Sequence, residues 1–199
     1  MSLSWNERYA EPGYAYGTEP NTFVVSVADR IPPGPVLSLG EGEGRNAVYL
    51  AGRGHDVTAV DASDVGLAKA RQLAAEAGVT VATEVADLAD FELGEGAWSA
   101  IVSIFCHVPP PVRRRVHGAL ARALAPGGLF VFEAYGPEQL QHGTGGPRDL
   151  AFLPDLDTLL AELGDLEIVS AQALEREVRE GRYHTGPGAV IQILARRAP

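Results

Sequence analysis

The fold of this chain is decided by the stretch Leu37-Ser38-Leu39-Gly40-Glu41-Gly42-Glu43-Gly44-Arg45-Asn46. A short apolar run leads into a turn with three alternating glycines, and Arg45 opens a segment of helical periodicity that reaches Arg53. Glycine lets the backbone adopt unusual dihedral angles and lets another group come close without meeting a Cβ. A strand that runs through such a turn into a helix predicts nucleotide binding at the carboxyl end of the first strand of an α/β sheet.

The turn departs from two widespread glycine motifs. The dinucleotide motif G-x-G-x-x-G would need its third glycine where the chain has Arg45, and the phosphate loop G-x-x-x-x-G-K-[ST] is absent. Glu41 and Glu43 place two carboxylates in the turn, which would repel a pyrophosphate and tolerate a sulfonium or an ammonium group. The stretch therefore favours a ligand without phosphates and disfavours a nicotinamide-dependent oxidoreductase.

Outward from this stretch, short apolar runs alternate with helix-like segments, which predicts a mostly parallel sheet built from βα units. We expect strands over 36–39, 57–60, 79–85, 98–105 and 129–133, and helices over 20–31, 45–53, 64–77, 110–124 and 153–163. Two last strands, over 166–178 and 190–196, are joined by a glycine-rich turn, which implies an antiparallel hairpin at one edge of the sheet.

Length and composition suit one domain over residues 1–199, within which residues 1–21, rich in Tyr and Gly from Trp5 on, are expected to form a lid or loop. The formal net charge of −10 disfavours nucleic-acid partners, because phosphate binding needs clustered Lys and Arg. Cys106 is the single cysteine, so no intramolecular disulfide can form. No apolar run reaches transmembrane length, and the first residues lack the apolar core of a signal peptide. We expect a cytoplasmic protein without a membrane partner.

Two acids follow the next strands of the predicted sheet. Asp61 ends the second strand about twenty residues after the glycine turn, which is the spacing at which a carboxylate holds ribose hydroxyls. Ser63 or Asp64 can cap the following helix, which would leave Asp61 free for that task. Asp87 follows the third strand and could accept from an adenine amino group while the amide of Leu88 meets a ring nitrogen. The alternative for Asp87 is an ordinary loop acid.

Six motifs together resemble the class I S-adenosylmethionine-dependent methyltransferases. The closer resemblance is to the small single-domain group related to tellurite-resistance and thiopurine-type methyltransferases. The motifs are LGEGEGRN at 39–46, HDVTAVDAS at 55–63, VADLADF at 85–91, WNERYAEPGYAYGTEPN at 5–21, SIFCHVPP at 103–110 and LAPGGLFVFEAYGPEQL at 124–140.

The resemblance implies a Rossmann-like three-layer α/β fold whose seven strands have the order 3-2-1-4-5-7-6, with strand seven antiparallel. It also implies S-adenosyl-L-methionine as cofactor and assigns its contacts by position. The predicted cofactor contacts are Gly40, Gly42 and Gly44 under the methionine part, Asp61 at the ribose, Ala62, Asp87 and Leu88 around the adenine, and Phe105 and Cys106 near the cofactor and the acceptor. Glu41 and Asn46 are further predicted cofactor contacts. The polar N-P-P-Y tetrapeptide of nucleic-acid amino methyltransferases is replaced by Cys106-His107-Val108-Pro109, which argues against a nucleic-acid acceptor.

Methyl transfer from a sulfonium needs mainly positioning of donor and acceptor and exclusion of water. His107 is the candidate general base, at the carboxyl end of strand four. Its alternative is a histidine that bonds backbone and shapes the turn before Pro109. Tyr16, Tyr135 and His184 are candidate acceptor contacts, although His184 could also be an exposed turn residue.

The predicted function is methyl transfer to a small molecule that carries a thiol, a metalloid oxyanion, an amine or a hydroxyl. The alternative is a non-catalytic cofactor-binding or regulatory module, because no base is unambiguous in the sequence. Cys106 could be a reactive thiol or, at an apolar strand end, a buried and inert one.

Overall fold

The computed structural model describes residues 4–199 and contains one seven-stranded sheet with helices on both faces. The strands are β1 (Pro35–Leu39), β2 (Asp56–Asp61), β3 (Ala82–Val85), β4 (Trp98–Ile104), β5 (Leu124–Tyr135), β6 (Glu167–Glu180) and β7 (His184–Arg196). The helices are α1 (Trp5–Tyr9), α2 (Thr22–Val27), α3 (Arg45–Gly52), α4 (Asp64–Glu76), α5 (Pro110–Ala123) and α6 (Leu156–Glu162). Every helix within residues 4–199 is too short or too polar to cross a bilayer.

The strand order is β3-β2-β1-β4-β5-β7-β6. Strands β1 to β5 pair in parallel, whereas β7 runs antiparallel to both β5 and β6. This order and the antiparallel hairpin confirm the Rossmann-like fold expected from the sequence.

Alternate residues of the central strands face two separate helix layers. Val36 packs into the core formed with α2, α3 and α4, whereas Leu37 packs into the core formed with α5 and α6. Both side chains are fully buried, as expected for a parallel strand covered on both faces. Strand β1 is therefore held rigidly, and it fixes the position of the glycine turn at the carboxyl end of the sheet.

Element boundaries differ from the expectation where capping or a bulge decides them. The second helix begins at Thr22, because the Asn21 side chain accepts from the first free amides of the helix and leaves Pro20 outside. Strand β5 begins five residues early, since 126–128 stay in the strand at an irregularity of its pairing with β4. Helix α6 begins three residues late, where Asp155 caps it.

The N-terminal segment, residues 4–21, is not the simple loop that its Tyr and Gly content predicts. It opens with helix α1, because Ser4 and Glu7 form a reciprocal capping box. Tyr9 and Ala15 are buried against the rest of the chain. The amide of Arg182 donates to the Ala15 carbonyl (2.9 Å), so the segment is tied to the turn between β6 and β7.

A buried charge network joins this segment to the hairpin. Arg176 on β6 contacts the carboxylates of Glu133 on β5 and of Glu180, the latter at 3.0 Å. Arg45 at the start of α3 pairs with Glu180 at 2.5 Å. The Asn21 side-chain amide donates to Glu133 (2.8 Å) and to Glu180 (2.9 Å). Two cations balance two anions, so the network buries no net charge.

Truncation of Glu133, which is fully buried, should strongly destabilise the protein. Glu133→Ala leaves Arg176 with one carboxylate fewer, and breaking a buried pair costs about 3–5 kcal/mol. Glu167→Ala is the matched control on β6, since it removes the exposed Arg196–Glu167 pair, and should cost at most about 1 kcal/mol. Urea unfolding measures both; equal losses would contradict the structural role of the network.

Candidate active site

The glycine turn between β1 and α3 can be built only from glycine at its three alternating positions. Gly40, Gly42 and Gly44 have φ values of +59°, +65° and +95°. A Cβ at each position would lie within 2.6 Å of a neighbouring atom, namely Cys106 Sγ at Gly40, Tyr9 Oη at Gly42 and Ala70 Cβ at Gly44. The turn is therefore closely packed from three sides by β4, α1 and α4.

Asp61 fixes this turn to the end of β2. Its Oδ2 accepts from the Gly42 amide and its Oδ1 from the Ser63 amide, both at 2.8 Å. Burial raises the pKa of Asp61, and these two amides act against that rise. Ser63 caps α4, as expected, by accepting from the Gly66 amide. The expectation that Asp61 is thereby left without a structural duty is wrong, although a carboxylate offers about four lone-pair sites and only two accept from protein donors within residues 4–199.

Glu41 is turned inward to the start of α3. One carboxylate oxygen accepts from the amides of Asn46 and Ala47, both at 3.0 Å, and the other accepts from the Ser38 hydroxyl. Burial raises the pKa of Glu41, against these hydrogen bonds. The Asn46 side chain in turn accepts from the Asn21 amide at 2.9 Å. Glu41 and Asn46 thus hold α3 and the N-terminal segment in place, and their cofactor contacts stay predictions.

Glu43 is also engaged within the protein. Its side chain accepts from the Ala15 amide at 2.6 Å and pairs with Lys69 at 2.9 Å. Lys69 donates further to the carbonyls of Glu11 and Gly13. The two carboxylates therefore repel a pyrophosphate less than the sequence predicts, because Lys69 neutralises Glu43 and Glu41 caps the amides at the start of α3.

The next two strand ends carry exposed groups beside this turn. Ala62 follows β2 and Asp87 follows β3, and both are exposed, whereas Leu88 is buried. Asp87 Oδ1 accepts from the Ala89 amide at 2.8 Å, so its other oxygen is directed to no protein donor within residues 4–199. Asp87 also lines a shallow groove of about 330 Å³ that includes Phe91. Ala62 and Asp87 are therefore accessible to an adenine, whereas the Leu88 side chain is not, and the roles of all three residues stay predictions.

The end of β4 is strained. Phe105 has φ of +51°, the only positive φ at a residue other than glycine within residues 4–199. Such conformations are rare outside glycine and cluster at functional sites. Its amide donates to the Glu133 carbonyl at 2.7 Å, which helps to hold this geometry. Burial raises the pKa of the next residue, Cys106, to about 12, so this thiol stays protonated and the inert alternative is favoured.

His107 has both ring nitrogens engaged by backbone. Nδ1 lies 3.0 Å from the Phe105 carbonyl and must donate to it, while Nε2 accepts from the Tyr135 amide at 3.2 Å. Burial lowers the pKa of His107 to about 4, with the Phe105 hydrogen bond acting against this. The geometry favours the alternative in which His107 shapes the turn, because a general base needs a free lone pair.

Four aromatic rings meet beyond β4 and form what we call the aromatic box. Its members are Tyr16, Phe105, Tyr135 and His184. The His184 ring centroid lies 4.6 Å from Tyr16, 4.7 Å from Phe105 and 5.2 Å from Tyr135. His184 is only 7% exposed, so the alternative of an exposed turn histidine is wrong. The structure thus brings together the three acceptor contacts named from sequence.

Arg8 and Tyr9 are site residues that the sequence argument missed. Arg8 Nη1 donates to the Tyr16 hydroxyl at 2.7 Å, and its guanidinium lies 4.9 Å from the Tyr183 ring centroid. Tyr9 covers Gly42, as described above. The capping-box pattern at Ser4 would have revealed the helix that carries them. Within residues 4–199, no group of three or more His, Cys, Asp or Glu side chains could hold a metal ion.

Comparison with known proteins finds a family model that is similar to the central segment. A family model described as a methyltransferase domain matches residues 36–128. A 2-heptyl-1-hydroxyquinolin-4(1H)-one methyltransferase of Mycobacteroides abscessus is 29% identical over 144 residues, which are 71% of this chain and 63% of that relative. The match therefore spans less than two thirds of the relative's length.

Solved structures share the fold over most of the chain. The structure described as conversion of a disulfide bond into a thioacetal group during echinomycin biosynthesis has a TM-score of 0.78 at 20% identity, covering 97% of this chain and 88% of that one. TehB from Haemophilus influenzae has a TM-score of 0.72 at 21% identity, covering 89% and 62%. At these identities the likeness shows the fold alone.

The environment of His107 predicts an acid-sensitive contribution to stability. Its pKa is about 4 in the folded chain and ordinarily 6.5. Between these values only the unfolded chain binds the proton, so as pH falls through this window the stability drops by up to about 1.4 kcal/mol per pH unit. His107→Gln removes this dependence. Urea unfolding across the window should show the stability gap between wild type and variant shrinking as pH falls; a constant gap would contradict the buried, neutral state.

Proposed function

We propose that this chain is a class I S-adenosylmethionine-dependent methyltransferase, which transfers the methyl group of that cofactor to a small molecule. The observation that carries the proposal is the glycine turn held by Asp61 at the carboxyl end of β1, beside the exposed Ala62 and Asp87. Ligands of open α/β sheets bind at this end of the strands.

The residues present fit the cofactor. The backbone of the glycine turn would pass under its methionine part, and the remaining lone-pair sites of Asp61 would accept from the ribose hydroxyls. Ala62, Asp87 and Leu88 would surround the adenine. When bound, S-adenosylmethionine supplies a methyl group on a positively charged sulfur that is a good leaving group.

The chain itself would position the reacting groups and exclude water from them. The N-terminal segment lies over the glycine turn through Tyr9 and is held there by Lys69 and Glu43. A segment in this place excludes water from the reacting groups and aligns donor and acceptor, which is most of what this displacement requires. Phe105 and Cys106 would face the junction between cofactor and acceptor.

The acceptor is proposed to be a small molecule. The Mycobacteroides relative is named for a hydroxyquinolone, which is a small molecule, and the net charge of −10 disfavours nucleic acid. A thiol, a metalloid oxyanion, an amine and a hydroxyl are the candidate reacting groups.

The engagement of both His107 nitrogens favours a second candidate, a cofactor-binding module without turnover. Incubation with cofactor labelled in the methyl group and a panel of thiols, amines, hydroxyls and oxyanions separates the two. Transfer of label to any acceptor supports the enzyme. Binding without transfer to any member of the panel supports the module.

Calorimetric titration tests cofactor recognition. Wild type should bind S-adenosylmethionine and not NAD. Asp87→Ala removes one charge-assisted hydrogen bond, so it should weaken affinity by about 10- to 100-fold. Asp90→Ala is the matched control, because Asp90 is exposed in the same groove and has no proposed contact. Heat with NAD alone, or equal losses in both variants, would contradict the assignment.

A further inference from the structure

Two buried polar atoms of the aromatic box have no hydrogen-bond partner within residues 4–199. They are Nδ1 of His184 and the hydroxyl of Tyr135. His184 is 7% exposed and Tyr135 is fully buried. Buried polar groups in folded proteins are nearly always hydrogen-bonded, because an unsatisfied one destabilises the fold. Two such atoms on touching rings indicate a place where a ligand supplies the missing partner.

These two atoms lie among closely spaced aromatic rings. Phe105 lies 4.6 Å from Tyr135 and 4.7 Å from His184, measured between ring centroids. Tyr16 covers His184 from the N-terminal segment. Aromatic rings stack favourably on other planar rings. The box also adjoins the end of β4, where Cys106 packs on Gly40, so it lies beside the proposed methyl donor.

The box has one cation without a carboxylate partner. Arg45 and Arg176 are paired with Glu180 and Glu133. Arg8 has no carboxylate oxygen within 4.0 Å among residues 4–199 and is bonded to the Tyr16 hydroxyl that packs on His184. An unpaired guanidinium stabilises an anion and repels an ammonium group.

The protonation state of His184 is set by burial and by nearby cations. Burial lowers its pKa well below the ordinary value, and the charges of Arg45, Arg8 and Arg176 act in the same direction. The ring is therefore neutral. One nitrogen of a neutral imidazole carries a free lone pair that can accept a proton.

We propose that His184, Tyr135 and Arg8 form the acceptor subsite, and that the acceptor is a planar aromatic compound with a weakly acidic hydroxyl. This inference rests on the proposed methyltransferase function. The aromatic walls hold the ring, and the Tyr135 hydroxyl donates to the acceptor oxygen. An oxyanion without an aromatic ring would not stack on the rings of the box, and an amine would lie beside the positive charge of Arg8.

The acceptor hydroxyl gives its proton to His184, and Arg8 stabilises the resulting aryl oxide. An oxygen lone pair forms the bond to the methyl carbon while the carbon–sulfur bond breaks and its electron pair stays on sulfur. The products are an aryl methyl ether and S-adenosylhomocysteine, and His184 releases the proton to water.

The first test compares reacting groups on one ring system. Wild-type protein is given S-adenosylmethionine with 1-naphthol, 1-naphthalenethiol, 1-naphthylamine or selenite, and the methylated products are quantified. We expect the naphthyl ether to form at least about tenfold faster than the other products. Faster turnover of the thiol, amine or selenite, or no ether despite cofactor binding, overturns the inference alone. Absence of cofactor binding overturns the proposed function.

Two variants test the residues. Tyr135→Phe removes only a hydroxyl without a partner, so the melting temperature and cofactor affinity should hold while ether formation falls about tenfold. His184→Gln should lower kcat/KM for 1-naphthol by about 100-fold or more, and less for the more acidic 4-nitro-1-naphthol, which needs no base. The control is His142→Gln, a histidine outside the box that contacts Glu175. Unchanged turnover in Tyr135→Phe, or equal losses on both naphthols in His184→Gln, overturns the assignment.

Discussion

The carboxylate of Asp61 is the contact on which the site depends, because it joins two loops that the sheet only brings near each other. The Gly42 amide comes from the turn after β1 and the Ser63 amide from the turn after β2. Within the first turn the Glu41 amide donates to the Val60 carbonyl of β2 at 3.1 Å. Asp61 adds a side-chain acceptor for the Gly42 amide and so sets the distance between the glycine turn and the start of α4.

The same end of the sheet is closed from outside by the N-terminal segment and the β6–β7 turn. The buried network of Glu133, Arg176, Glu180 and Arg45 keeps these parts in register, since each charge is satisfied only when β5, β6 and α3 are all in place. His107 contributes in a similar way by bonding the backbone at Phe105 and Tyr135. Residues that the sequence marks as candidates for chemistry thus stabilise the fold. The aromatic box retains two buried polar atoms without a hydrogen-bond partner within residues 4–199.

Apolar periodicity and glycine positions predicted most elements, because these signals act locally. The sheet order was implied by the resemblance to the methyltransferase family. The sequence named Tyr16, Tyr135 and His184 as candidate acceptor contacts. Tyr135 and His184 meet because β5 ends at the first and the antiparallel β7 begins at the second. The sequence could not assign Asp61, Glu41 or His107 their internal partners, because these partners are backbone amides and carbonyls that leave no residue pattern. It also missed Arg8, which matters because no carboxylate oxygen lies within 4.0 Å of it among residues 4–199. The helix that carries Arg8 was marked only by the short Ser4–Glu7 capping box.

If Asp61 both pins the glycine turn and holds the ribose, one substitution must affect two properties at once. The direct measurement is Asp61→Asn, with the free energy of unfolding of the unliganded protein and the Kd for S-adenosylmethionine determined on the same preparation. An amide in place of the carboxylate loses one acceptor and all charge assistance, so we predict a loss of about 1.5–3 kcal/mol in stability together with at least tenfold weaker binding. A loss of stability with unchanged affinity would contradict the account and leave Asp61 as a purely structural residue.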